Sequence, residues 1–287
     1  MSDSIRENES AIKNRKLLIW AASLTLFFAT LEIVYGLISG SLMIIGDGVH
    51  MGSDAISLIL SLVAVIIASK AATTKKTFGY KRFEPIAAFV NGFSLILIPL
   101  YIIYEAVNRI VNPVEIIPIQ MLVIGIIGLL INGLVGFILS KGSSNLNMRS
   151  AILHVVADMI TSLSAVIVAL AILFFDLVWL DPIGSIVTSI IIIRGGIKIT
   201  KEAFHILMEG TPEGYSVEVI EDTVSRINSS ITINQVKIWC INEAEVYALI
   251  RLKNCPSVIE GAQKIKKEIA KATNIPPGHI YLDVTSF

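Results

Sequence analysis

Residues 150–175 read SAILHVVADMITSLSAVIVALAILFF, and this stretch decides the fold. It has membrane-spanning length, because a hydrocarbon core about 30 Å thick takes about 20 predominantly apolar residues in a helix. Its ionisable side chains are His154 and Asp158. A charged group inside a span costs about 2.5–3.5 kcal/mol on insertion scales, so one that is kept there marks a functional site by default. The two stand four residues apart, which puts both on one helix face.

Working outward, five more segments reach the same length. They run over residues 17–39, 42–69, 84–110 and 118–140, with a sixth span starting near Leu180. That last one is apolar to Ile193 and turns amphipathic from Arg194 to about Met208. The composition agrees: 54% of the 287 residues are hydrophobic and 16% charged, against about 25% charged in soluble domains. Formal net charge is zero, so nothing points to a nucleic-acid partner. Residues 1–16 (MSDSIRENESAIKNRK) are polar and lead into a span with no small-residue cleavage site, so no removable targeting peptide is expected.

The connections set the orientation. Arg6, Lys13, Arg15 and Lys16 precede the first span, and Lys70, Lys75, Lys76, Lys81 and Arg82 separate the second from the third. Lys141 and Arg149 separate the fourth from the fifth, and Lys198 and Lys201 follow the sixth. The opposite connections are short and poor in Lys and Arg, with Arg109 the exception. The positive-inside rule then puts both termini in the cytoplasm of a multi-pass cell-membrane protein.

After Met208 the pattern changes. Residues 216–229 and 257–273 have helical spacing, while 236–240, 245–253 and 279–284 alternate as strands do. The predicted organisation is a cytoplasmic segment over 1–16, a six-helix membrane domain over 17–208 and a cytoplasmic α+β domain over 209–287. Cys240 and Cys255 both fall in the last and lack CxxC spacing, so they are read as reduced and non-ligating.

Span two reads IIGDGVHMGSDAISL and carries Asp47, His50 and Asp54. Spans two and five run antiparallel, so His50 comes opposite Asp158 and His154 opposite Asp54. Two imidazole nitrogens and two carboxylate oxygens make a near-tetrahedral set suited to zinc, cobalt or cadmium. Calcium or magnesium would want more oxygens and no imidazole. Salt bridges holding the bundle together are the plainer alternative. Asp47, one turn before His50 between Gly46 and Gly48, is either an accessory group at the outer approach or simply a group meeting water. Glu32 in span one either lies beside the ion path as a proton acceptor or hydrogen-bonds a neighbour, the second being the preferred reading. Asn132 is read as interhelical glue, Asp181-Pro182 as the cap of span six, and His205 as interfacial. The glycines of spans two and four, such as Gly46, Gly48, Gly125, Gly128 and Gly133, are read as places of close helix approach.

Together these residues resemble the cation diffusion facilitator family of metal/proton antiporters. Asp47-x-x-His50-x-x-x-Asp54 with His154-x-x-x-Asp158 is similar to the transport site of its zinc-type members. Phe78-Gly79-Tyr80-Lys81-Arg82-Phe83-Glu84 resembles the family signature between spans two and three. Leu180-Asp181-Pro182, Met208-Glu209-Gly210-Thr211-Pro212 and Val236-Lys237-Ile238-Trp239 resemble, in turn, the opening of span six, the junction to a ferredoxin-like domain and a strand of that domain. The resemblance implies a homodimer that exchanges cytoplasmic metal for protons by alternating access, with metal as cargo and no cofactor. Residues 71–81 offer no His or Asp for the second site that some members carry there, and KGSSNLNMR stands where others have a histidine-rich loop. In the C-terminal domain only His279 and Asp283 suggest metal binding.

Metal binds only deprotonated imidazole and carboxylate, so loading releases protons. An ordinary imidazole titrates at about 6.5, close to cytoplasmic pH. An intramembrane metallohydrolase would need a general base such as the Glu of HExxH, which the sequence lacks. A sensor or scaffold that binds metal without moving it stays open, and cadmium, cobalt, iron(II) or manganese compete with zinc as the ion.

Overall fold

The structure is a computed structural model, describing residues 2–68, 72–141, 146–228, 231–242, 245–253 and 260–285. Six long helices come first: α1 (Ser2–Ser39), α2 (Leu42–Ala68), α3 (Phe83–Val111), α4 (Pro118–Ser140), α5 (Leu146–Phe175) and α6 (Leu180–Leu207). Among the described residues α1, α3, α4, α5 and α6 each contain a stretch long and apolar enough to cross a membrane, and α2 is of matching length at 27 residues. Only a helix meets all its own backbone hydrogen bonds within one segment in lipid. Large apolar side chains point outward, Leu130, Phe137, Ile160 and Ile191 among them, as a lipid-facing surface requires and a water-facing one avoids.

The chain falls into two compact units. The first takes residues 1–62 and 90–198, the second 63–89 and 199–287. In the first, α4 is central. Its buried residues Met121, Ile124, Gly125, Gly128, Asn132, Val135 and Leu139 recur every three or four positions, a single packed stripe. Gly125 and Gly136 lie against Val166 and Val155 of α5, and Gly128 lies against Phe28 of α1. The α1–α2 turn is tight: Gly40 has φ +75°, a conformation in which glycine has no steric cost. A Cβ there would also meet the Glu115 carbonyl oxygen at 2.8 Å.

The second unit holds the ends of α2, α3 and α6 together with α7 (Val217–Ile227), β1 (Thr232–Asn242), β2 (Glu245–Lys253), α8 (Glu260–Thr273), a 3₁₀ turn (Pro277–His279) and β3 (Ile280–Thr285). Ser216 caps α7, its Oγ accepting the Val219 N–H at 3.3 Å. The sheet order is β1-β2-β3, antiparallel for the first pair and parallel for the second. With α7 and α8 this is the ferredoxin-like order without its first strand. One sheet face supplies Ile238, Cys240, Val246, Ala248, Ile250 and Ile280 to a core shared with Ile220, Val224, Ile265 and Ile269. Cys240 is buried in this core; Cys255 and the turn at Glu243 lie outside the described residues.

On the other face Trp239 and His279 both stack on Tyr247, at 5.8 and 4.2 Å between ring centroids. The segment before α3 grips the hairpin end of this sheet. Lys81 Nζ donates to both Glu245 oxygens at 2.6 and 2.7 Å, and the Tyr247 hydroxyl donates to Glu245 Oε2 at 3.1 Å. Asn242 Nδ2 donates to Glu84 Oε2 at 3.3 Å, Arg82 pairs with Glu209 at 2.7 Å, and Phe78 meets Tyr247 edge-on. Lys81, first among the groups around it, holds the Glu245 carboxyl below its ordinary value. Burial and the Glu245 hydrogen bond push the Tyr247 phenol up to about 12.

Candidate metal site between two membrane helices

Asp47, His50 and Asp54 follow one another along one side of α2, as their three- and four-residue spacing requires. His50 stands between two carboxylates. Its Nδ1 lies 3.6 Å from Asp54 Oδ2 one turn along the same helix, and its Nε2 lies 3.9 Å from Asp158 Oδ1 on α5. The structure thus brings His50, Asp54 and Asp158 together, with His50 opposite Asp158 as the antiparallel arrangement predicts. The side chain of His154 lies outside the described residues.

The spacing is open for hydrogen bonding, which needs about 2.7–3.2 Å. It approaches what a shared ion imposes. Ligands on one tetrahedral zinc, with bonds of about 2.0–2.1 Å, stand about 3.3 Å from each other. Among the described residues no three His, Cys, Asp or Glu side chains already stand as a closed metal cluster, so the His50–Asp158 gap has to narrow by about half an ångström around an ion.

Asp47 is placed differently. It is 2% exposed, and its carboxylate accepts from Thr161 Oγ1 at 2.7 Å and Ser162 Oγ at 3.3 Å. Asn132 Nδ2 of α4 donates to the same Ser162 hydroxyl at 3.2 Å, so Asn132 is the interhelical link the sequence suggests. Asp47, Ser162 and Asn132 therefore tie α2, α5 and α4 together one turn beyond His50. Sequence reasoning passed over Thr161 and Ser162, although they follow Asp158 by three and four residues and so share its helix face. Side-chain exposure rises from the buried Asp47 to 24% at His50 and 28% at Asp54, so the pair opens on its Asp54 side.

Glu32 of α1 is fully buried beside this group, with Asp47 and Asp158 the carboxylates that act on it. Among the described residues neither of its oxygens has a hydrogen-bond partner, so the hydrogen-bonded neighbour preferred from sequence is not found there. It fits because α2 and α4 present glycines to it: a Cβ at Gly48 would lie 2.9 Å from Glu32 Cβ, and one at Gly128 3.2 Å from Glu32 Oε1. Gly46 and Gly133, also expected at close approaches, have nothing among the described residues within 4 Å of a Cβ. In the second unit His279 and Asp283 do not join: Asp283 pairs with Arg251 at 2.7 Å, and His279 Nδ1 faces the Val246 carbonyl at 3.1 Å. His205 Nε2 is 2.8 Å from the Thr211 carbonyl oxygen.

The sequence of this chain is similar to that of known proteins over most of its length. Residues 18–208 match the model of the cation efflux transmembrane domain. The cadmium, cobalt and zinc/H(+)-K(+) antiporter of Bacillus subtilis is 41% identical over 256 residues, covering 88% of this chain and 80% of the relative. The zinc transporter ZitB of Pectobacterium atrosepticum is 38% identical over 239 residues, covering 82% and 75%. A match of this extent, spanning the helices that carry Asp47, His50, Asp54 and Asp158, is more than a shared helical topology gives: the chain belongs to the cation diffusion facilitator family.

Proposed function

We propose that this protein is a secondary transporter that exports divalent transition-metal ions, zinc foremost, from the cytoplasm in exchange for protons. The observation that carries the reading is His50 Nε2 facing Asp158 Oδ1 across α2 and α5 at 3.9 Å, with Asp54 one turn away. His50, Asp54, His154 and Asp158 are the proposed ligands. Two carboxylates balance the dication, so the loaded site is neutral and bearable in a low-dielectric bundle. The names of the relatives, a zinc transporter and a cadmium, cobalt and zinc antiporter, support the same class of cargo. Asp47, already engaged by Thr161 and Ser162, supports α2 from behind the ligands.

In this reading both termini are cytoplasmic and Asp54 lies on the inner side of His50. The greater exposure of Asp54 than of Asp47 then supports an inward-facing site. Metal enters from the cytoplasm and displaces protons from imidazole and carboxylate, and protons arriving from outside release it. Residues 209–287 form the cytoplasmic domain through which two copies pair.

The test is zinc flux in proteoliposomes under a fixed pH gradient, comparing wild type with Asp54→Ala and Asp158→Ala. Proton-coupled flux that both variants abolish while remaining folded is the expected result. Zinc binding without flux in wild type points instead to a sensor. Flux untouched by both variants would leave the His/Asp pair a packing feature.

A further inference from the structure

The sequence suggests that Asp181 caps its own helix, but its carboxylate reaches the start of a different one. It sits fully buried in the first turn of α6. Its oxygens accept the Ser41 hydroxyl at 2.5 Å, the Leu42 N–H at 2.9 Å and the Met43 N–H at 3.2 Å. Ser41 Oγ in turn accepts the Ile44 N–H at 3.2 Å. Of the open N–H groups that every helix start presents, the first two of α2 are thus met by α6 and the third by Ser41.

Other contacts hold the same turn. The Arg109 guanidinium of α3 donates to the Gly40 carbonyl and pairs with Glu105 at 2.9 Å. The Ile117 N–H donates to the Ser39 carbonyl at 2.9 Å, and Met43 Sδ lies 2.9 Å from where a Cβ on Gly184 of α6 would stand. Ser39, Ser41, Leu42 and Met43 are all buried.

We propose that Asp181 is a positioning residue of the transport site: it fixes the height of α2 against α6, and so the level at which His50 and Asp54 meet α5. The inference rests on the ligand assignment proposed above. From Leu42 to His50 is about 12 Å at 1.5 Å per residue, and a helix carries an axial slip over that length undiminished. Metal bonds tolerate about 0.2 Å, less than the slip allowed when two or three hydrogen bonds at the cap are lost. Asp181 touches no metal in this account, and Ser41 shares its role through the same hydrogen bond.

The experiment measures the zinc dissociation constant of the purified full-length protein in detergent by calorimetry, with thermal unfolding and proteoliposome flux alongside, for wild type, Asp181→Asn and Ser41→Ala. Expected are a dissociation constant raised about tenfold in Asp181→Asn, in the range measured for residues that orient ligands, and raised a few-fold in Ser41→Ala, which keeps the carboxylate. Zinc binding lost in Asp181→Asn but unchanged in Ser41→Ala would overturn the proposal, because the carboxylate would then act directly. Lower unfolding temperatures at unchanged zinc affinity would overturn it too, leaving a cap that only stabilises. Ser41→Ala decides alone if Asp181→Asn does not fold. Wild type that binds zinc without moving it would sink the transport reading while the dissociation constants still judge the clamp.

Discussion

Replacing Gly48 by alanine should damage the proposed metal site without touching a proposed ligand. A Cβ at Gly48 stands 2.9 Å from the Ala29 carbonyl oxygen and from Glu32 Cβ, half an ångström short of the 3.4 Å at which ordinary contact begins. One obstacle is backbone, so a rotamer change gives no relief and α1 and α2 must part. Overpacking of this kind costs about 1–3 kcal/mol, against about 1 kcal/mol gained from the better helix former, leaving a net loss of about 0–2 kcal/mol. The function should suffer more than the stability. Gly48 is two residues from His50, and a shift of about 0.5 Å exceeds the tolerance of about 0.2 Å in metal bonds. Gly46→Ala is the matched control, since nothing among the described residues lies within 4 Å of its Cβ, and it should keep wild-type zinc binding with equal or higher stability. Thermal unfolding in detergent and zinc calorimetry on both variants make the test. Equal zinc affinity in Gly48→Ala and Gly46→Ala would refute the argument that close packing of α1 on α2 places His50.

Thr161→Val with Ser162→Ala strips both hydroxyl donors from buried Asp47. It should cost about 1–3 kcal/mol per group left unsatisfied, with part recovered by adding Asp47→Ala; simply additive costs in thermal unfolding would contradict this. The Lys81–Glu245 pair should be pH-sensitive at the acid end only. Glu245 has its folded value below the ordinary 4.5, so the stability it contributes is present above pH 4.5 and is lost as pH falls through the lower folded value. Trp239 fluorescence, with Trp20 and Trp179 changed to Phe, should report that loss, and Lys81→Ala should flatten it. Tyr247 behaves in the opposite sense: with its value raised from 10 to about 12, its contribution holds below pH 10 and fades as pH rises toward 12. An alkaline titration of tyrosinate absorbance that shows no group above 11 would count against the burial of Tyr247 and its hydrogen bond to Glu245.

The membrane helices were legible because lipid imposes one solution on an apolar run, and length with charge placement fixes its ends. The same logic exposed Asp47, His50, Asp54 and Asp158, since ionisable residues stand out against Leu, Ile and Val. What stayed hidden was which neighbour each polar group meets. Asp181 read as a local cap because local capping is the commoner use of aspartate in a first turn, and nothing in the sequence says that Ser41, 140 positions earlier, comes within 2.5 Å. Glu32 makes no hydrogen bond among the described residues, and this stayed hidden because sequence shows the residue's chemistry and not the glycines that admit it. Gly46 and Gly48 look alike in the sequence and differ entirely in what a methyl group would meet. Helix phase, and not residue type, separates them.

The grip of residues 78–84 on the β1–β2 hairpin bears on how far this protein is modular. Lys81, Glu84 and Phe78 each find their partner in Asn242, Glu245 or Tyr247, so the C-terminal domain is not an independent cassette joined at residue 209. A graft of residues 209–287 from a relative would arrive without its matching loop, presenting Glu245 and Tyr247 counterparts to the wrong side chains. Exchanging residues 78–84 in the same operation keeps donor with acceptor and ring with ring. Substitutions in that loop and in that hairpin should accordingly be tolerated in pairs more readily than singly.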